Sequence, residues 1–142
     1  MRYNYYTRIE ELIGKTLKAV YVTDMEDKIT FAADDGTEFY MYHSQDCCEQ
    51  VTLEDVAGDW NDLIGSPIVR AEENSNSGTQ SDVANWPKDV GPMSDRYVEC
   101  WEWTFYRIGT AKGTVVLRWY GNSNGYYGTG VTIDRKDPEP NV

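Results

Sequence analysis

One histidine and three cysteines in 142 residues leave little material for metal or nucleophile chemistry. Structural zinc takes four soft ligands, usually with a C-x₂₋₄-C knuckle, and no such knuckle occurs. A phosphate-cradling glycine loop, an H-E-x-x-H helix, a nucleophile elbow and an EF-hand loop are all missing. No apolar run approaches the ~18 residues of a membrane helix. The opening MRYNYYTRIEEL lacks the apolar stretch of a secretory signal. With an odd number of cysteines, the expectation is a soluble cytoplasmic protein with reduced thiols, no membrane partner and no cofactor.

Positive charge is also scarce. Thirteen Lys and Arg face 24 Asp and Glu, for a net charge of −11. The imbalance is local: residues 23–65 carry twelve acidic groups and only Lys28. A field of that sign repels phosphate backbones, which argues against direct nucleic-acid binding. The plainer meaning of the acidic segment is a solvated face; the sharper one is a surface that meets a basic partner.

What the chain does have is aromatic residues (11 Tyr, 5 Trp, 3 Phe) set in alternating patterns. Strands are expected at 15–23, 28–33 and 37–43, joined by hairpin turns such as Asp34-Asp35-Gly36, with 49–56 as a possible fourth strand of that meander. A strand at 66–73 follows. Further strands are expected at 98–110, 114–120 and 127–134. A short helix is expected near 59–64, with Asp59 as N-cap, Gly65 as stop and Pro67 beyond it; another is expected over 9–14. The fold class is mainly β: an antiparallel sheet of hairpins, open or sandwich- or barrel-like, with one or two short helices in a single domain over 1–142. Residues 74–96, rich in Asn, Ser, Gly and Asp, read as a long surface loop. Trp86 within it is an anchor folded onto the domain or a contact residue. The tail 136–142 reads as frayed.

Two stretches draw attention. YHSQDCCE (42–49) holds the only histidine and two cysteines. His43, Cys47, Cys48 and Cys100 are the candidates for a metal site, and His43 with Cys47 and Asp46 for a cysteine nucleophile. Neighbouring cysteines on an extended chain point opposite ways. The structural reading therefore outweighs both: buried cysteines packing as small apolar residues, Asp46 capping backbone amides, and His43 satisfying a neighbour. The acidic pairs Glu54–Asp55 and Asp59–Asp62 lack the dense oxygen spacing of a calcium loop.

The second stretch is RWYGNSNGYY (118–127). Arg118 offers a fork of donors, the tyrosines and Trp119 offer stacking faces, and Gly121, Gly125, Asn122 and Asn124 offer backbone freedom. Tyr, Trp and Arg dominate binding hot spots. The binding residues expected are Arg118, Tyr120, Asn124 and Tyr126, with Trp86 from the loop, and no catalytic residue is assigned.

Five strings carry a resemblance: D-C-C-E (46–49), E-D-x-x-G-D (54–59), D-L-I-G-S-P-I (62–68), W-T-F-Y (103–106) and W-Y-G-x-S-N-G-Y-Y (119–127). Together they resemble an uncharacterised family of small bacteriophage and prophage proteins. Where the resemblance would place a serine after the paired tyrosines, this chain has Gly128. The resemblance implies a phage or prophage origin and a bacterial host cytoplasm. The function expected is that of a non-enzymatic accessory binding protein, one that occupies a host protein (a defence component, for example) or sequesters a small planar or nucleotide ligand. The alternatives are a Cys/His-centred enzyme or metal-binding protein, and a phage structural component. A homo-oligomer is compatible with all of these.

Overall fold

Period-two alternation decides which side chains meet in this chain. The computed structural model describes residues 2–23, 25, 27–96 and 99–139. These hold nine strands: β1 (Arg2–Asn4), β2 (Leu17–Val22), β3 (Lys28–Ala33), β4 (Glu38–Tyr42), β5 (Gln50–Ala57), β6 (Arg70–Thr79), β7 (Cys100–Thr110), β8 (Gly113–Ser123) and β9 (Thr132–Asp137). They form two antiparallel sheets, ordered β1-β9-β4-β3-β2 and β5-β8-β7-β6. The architecture is a two-layer sandwich, not a closed barrel.

Alternate residues of each sheet point into the space between the layers. Ile29, Phe31, Phe39, Met41 and Ile133 enter from the first sheet; Leu53, Tyr106, Ile108, Leu117 and Trp119 enter from the second. The indole N–H of Trp119 donates to the sulfur of Met41 at 3.3 Å, tying one layer to the other. On the outer face of the first sheet, buried Asp134 accepts from the hydroxyls of Tyr3 and Tyr42 and from the Tyr6 N–H. Burial and that carboxylate push the Tyr3 hydroxyl up to about 12.

Several sequence expectations need correction. The strand at 49–56 exists but leaves the meander: β5 pairs with β8 in the other sheet. The two short helices are 3-10 turns, Ile9–Leu12 and Trp60–Leu63. Asp59 does cap the second, accepting from the Asn61 N–H. The loop expected at 74–96 begins later, because β6 runs to Thr79, paired residue by residue with β7. Residues 74–79 have weak strand propensity, but the open edge of a long β7 satisfies their backbone groups, and tertiary pairing overrides propensity. Two further 3-10 turns, Val83–Asn85 and Met93–Asp95, organise what remains of the loop. The last strand starts five residues later than expected, at Thr132, and takes in Lys136 and Asp137 of the supposed tail. Residues 140–142 of that tail, and residue 98 at the start of the expected strand 98–110, lie outside the described residues.

Phe31 is fully buried between the layers. Phe31→Ala should lower unfolding stability by ~3–5 kcal/mol, the usual cost of a lost core ring and its cavity. Tyr126, 83% exposed, should tolerate alanine within ~0.5 kcal/mol. Urea denaturation of the two variants checks both values, and equal effects would refute this placement of the core.

Candidate functional site

The other face of the second sheet is as informative as the core. Along β7 the odd residues Trp101, Trp103 and Phe105 point outward; along β8 Arg118, Tyr120 and Asn122 do. The register sets them side by side: Trp103 lies opposite Tyr120, Trp101 opposite Asn122, and Phe105 opposite Arg118. The Trp103 and Tyr120 rings meet at 4.5 Å between centroids. A sheet face this apolar must be covered. The cover comes from the 80–96 connection, which folds back so that Trp86 stands edge-on over Trp101, Trp103 and Tyr120 at 5.0, 5.4 and 5.9 Å. The indole N–H of Trp86 donates to the Gly91 carbonyl at 2.7 Å, which locks the fold of the connection itself. Together with Val90, these rings form a second buried cluster.

Arg96 completes this face. Its guanidinium lies 4.6 Å from the Tyr120 ring centre, 5.0 Å from Trp103 and 6.0 Å from Trp86. It also donates both terminal nitrogens to Glu54, at 2.6 and 2.9 Å. Glu54 is aimed there by a register shift in β5 between Leu53 and Asp55, the kind of bulge that redirects one side chain. The two side chains are only 21% and 25% exposed, so solvent screens the pair less than it would a surface pair. The Glu54 carboxylate raises the Arg96 pKa, and burial pushes the Tyr120 hydroxyl up. Arg118 approaches Trp103 at 5.6 Å. The indole nitrogen of Trp103 is buried without a hydrogen-bond partner.

Two cavities meet at Arg96. One, of about 800 Å³, is walled by Val83, Trp86, Pro92, Met93, Lys88 and Arg96. The other, of about 550 Å³, is more polar and is lined by Gln50, Thr52, Glu54, Arg96, Tyr120 and Asn122 among others.

The expected binding residues therefore divide. Arg118, Tyr120 and Trp86 are brought together on this face, though Tyr120 and Trp86 are buried. Asn124 and Tyr126 are not part of the group. They lie on the connection from β8 to β9, where Asn124 accepts from the Tyr126 N–H in a local turn and Tyr126 packs on Tyr127. The glycines of that motif have packing reasons. A side chain at Gly121 would meet Thr129 at 2.7 Å; Gly125 has φ +90° and faces the Cys100 sulfur. Glu54, Arg96, Trp101 and Trp103 were not among the expected residues. The outward parity of Trp101, Trp103 and Phe105 was a signal for the floor; nothing local links Glu54 to Arg96.

YHSQDCCE resolves into a corner between the sheets. Its centre is Glu49, not a cysteine. This buried carboxylate accepts from the Asp46 and Cys47 N–H groups at 3.0 and 2.9 Å and from the His43 ring at 2.8 Å. The other His43 nitrogen donates to the Gly130 carbonyl at 2.7 Å. The expected capping role is thus corrected: Glu49 rather than Asp46 receives the amides, while the neighbours of His43 are Glu49 and Gly130. Cys47 and Cys48 are exposed and joined to each other by a disulfide. The backbone bends at 47–48, so the alternation of an extended chain does not apply, and the free thiol among the described residues is Cys100. Among the described residues no three His, Cys, Asp or Glu side chains group as a metal site requires, so the candidates His43, Cys47, Cys48 and Cys100 do not converge.

A family model described as "Domain of unknown function (DUF7448)" matches residues 10–133, a span that includes all five strings quoted above. No curated protein and no solved structure matches the chain.

Burial opposes the charge of Glu49, but the N–H groups of Cys47, Asp46 and Glu49 itself, with the His43 ring, outweigh it and hold the carboxyl at about 2 against an ordinary 4.5. A folded-state value below the unfolded one stabilises fully above pH ~4.5 and is lost as pH falls toward ~2. Between those limits the urea midpoint of the wild type should fall more steeply than that of Glu49→Gln. Parallel slopes in the two proteins would refute the role given to Glu49.

Proposed function

The chain belongs to the DUF7448 family, and we propose that it is a binding protein, not a catalyst, whose recognition surface is the 80–96 connection together with the outer face of the second sheet that it covers. The observation that carries this reading is the cavity of about 800 Å³ formed by the 80–96 connection itself. Ligand clefts typically measure ~300–1,000 Å³, with apolar and aromatic walls and a few placed polar groups. This one has Trp86, Val83, Pro92 and Met93 as walls, with Lys88 and Arg96 at its margin. Its lining residues all belong to the 80–96 connection, which Trp86 and Val90 pin against the rings of the paired strands; walls held in place before a partner arrives lower the ordering cost of binding.

The resemblance to phage and prophage proteins gives the reading its setting: a host bacterial cytoplasm, and an occupant drawn from a host protein, a defence component included, or a planar small ligand. The acidic surface supports the protein partner. Asp34, Asp35, Asp46, Asp55 and Asp59 are all exposed, and a field of one sign speeds encounter with a basic partner.

Val83 is 64% exposed and lines the cavity, so its replacement leaves the fold intact. The anionic apolar dye 8-anilinonaphthalene-1-sulfonate should bind the wild type saturably at one site. Val83→Asp should weaken that binding at least about tenfold, while Tyr126→Asp leaves it unchanged. Absence of saturable binding, or an equal response in the two variants, would sink the cavity as the recognition site.

A further inference from the structure

Arg96 is a cation held in a receptor made for cations. Three ring faces and one carboxylate surround it, and each component is suited to a guanidinium. Ring faces attract a cation placed within ~6 Å of their centres. The carboxylate fork of Glu54 matches the planar fork of an arginine in a way it cannot match the point charge of a lysine. The components have different origins. Trp103 and Tyr120 are paired in the ladder of β7 and β8, and Glu54 sits at the bulge of β5. Arg96 arrives from the connection outside the sheet, immediately after the 3-10 turn Met93–Asp95. Arg96 lines both cavities. Removing it would join them into one cleft lined by Glu54, Trp86 and Tyr120.

We infer that the Glu54–Trp103–Tyr120 cage is a recognition site for an arginine side chain of a basic partner protein, with Arg96 as a resident surrogate that the partner's arginine displaces. This rests on the binding reading above and gives the partner its chemistry. The exchange is like for like within the cage, so the cage alone favours neither guanidinium. The resident has the advantage of being tethered, which is worth an effective concentration on the order of millimolar. A free arginine therefore competes poorly. An arginine presented on a basic segment gains the remainder from the acidic surface and from the adjoining cavity. Arg96 thus sets a threshold that rejects isolated cations and admits a cationic segment.

The test uses the full chain and two small probes, N-acetyl-arginine amide and its neutral isostere N-acetyl-citrulline amide, followed by tryptophan fluorescence and calorimetry. If the open cage is populated about a tenth of the time or less, Arg96→Ala should bind the arginine probe at least about tenfold tighter than the wild type. It should prefer that probe to citrulline, and the double variant Glu54→Gln with Arg96→Ala should lose the preference. An octa-arginine peptide should bind the wild type and shift the Arg96 Nε–H NMR resonance toward its solvent-exposed position. This last measurement needs no variant and decides the matter if Arg96→Ala does not fold. An Arg96 resonance unmoved at saturating peptide, equal affinity of the wild type and Arg96→Ala for the arginine probe, or equal binding of citrulline would overturn the proposal and leave Arg96 a structural clamp. Dye binding sensitive to Val83→Asp alongside any of those results would overturn the cage alone and leave the cavity reading standing.

Discussion

The hairpin of β7 and β8 is apolar on both faces, and the rest of the molecule is arranged around that fact. Eleven residues on each strand pair from Cys100↔Ser123 to Thr110↔Gly113. One parity sends Tyr106, Ile108, Leu117 and Trp119 into the space between the sheets; the other sends Trp101, Trp103 and Tyr120 to the outside. A half-buried antiparallel strand normally leaves its second face to water. This hairpin cannot, because each of those rings carries on the order of 150–250 Å² of surface. The first face is closed by the meander β2–β4. The second is closed by the 80–96 connection, whose otherwise polar sequence needs only Trp86, Val90 and Met93 to reach the rings.

That dependence explains what could be read from the sequence and what could not. Alternation made the β7–β8 hairpin and the β3–β4 hairpin legible, since each is short-range and closed by a turn. The Asp59 cap was legible because capping is local. The partner of β5 was not. Residues 50–57 alternate equally well beside β4 or beside β8, and the choice is made by the corner at 43–49. Nor was the polar end of β6, where Asn74 to Thr79 are strand only because β7 extends past them. At the site, the rings were legible and the ion pair was not: Glu54 and Arg96 are separated by 42 residues, and the bulge that aims Glu54 leaves no mark in composition.

The corner at YHSQDCCE fixes the relation of the layers at one end of the sandwich. Both His43 nitrogens face acceptors, the Gly130 carbonyl and the Glu49 carboxylate. The ring and the carboxylate are both almost fully enclosed, with side-chain exposures of 7% and 1%. The pair joins the β4–β5 crossing to the β8–β9 crossing, while Thr129 donates to Glu102 at 2.9 Å to hold the second crossing against β7. The chain's only histidine is thus accounted for by architecture, and so is the acidic residue that ends the D-C-C-E string.

Arg96 differs in kind from that corner. His43 and Glu49 are enclosed by the chain segments they join, so exchanging either would open the fold. Arg96 and Glu54 retain about a quarter and a fifth of their exposure and stand between two cavities rather than within packed protein. A charge pair that served stability alone would have no need of that position, since a well-packed apolar contact of the same volume does as well or better in a partly buried site. The cost of keeping a guanidinium over tryptophan and tyrosine faces is offset by the bidentate carboxylate and by the rings themselves. Those same two terms are what any external guanidinium would meet on arrival. The geometry that makes Arg96 tolerable at the cleft therefore also makes the cleft selective for its chemical equivalent, and the −11 charge of the chain biases which molecules come near enough to compete.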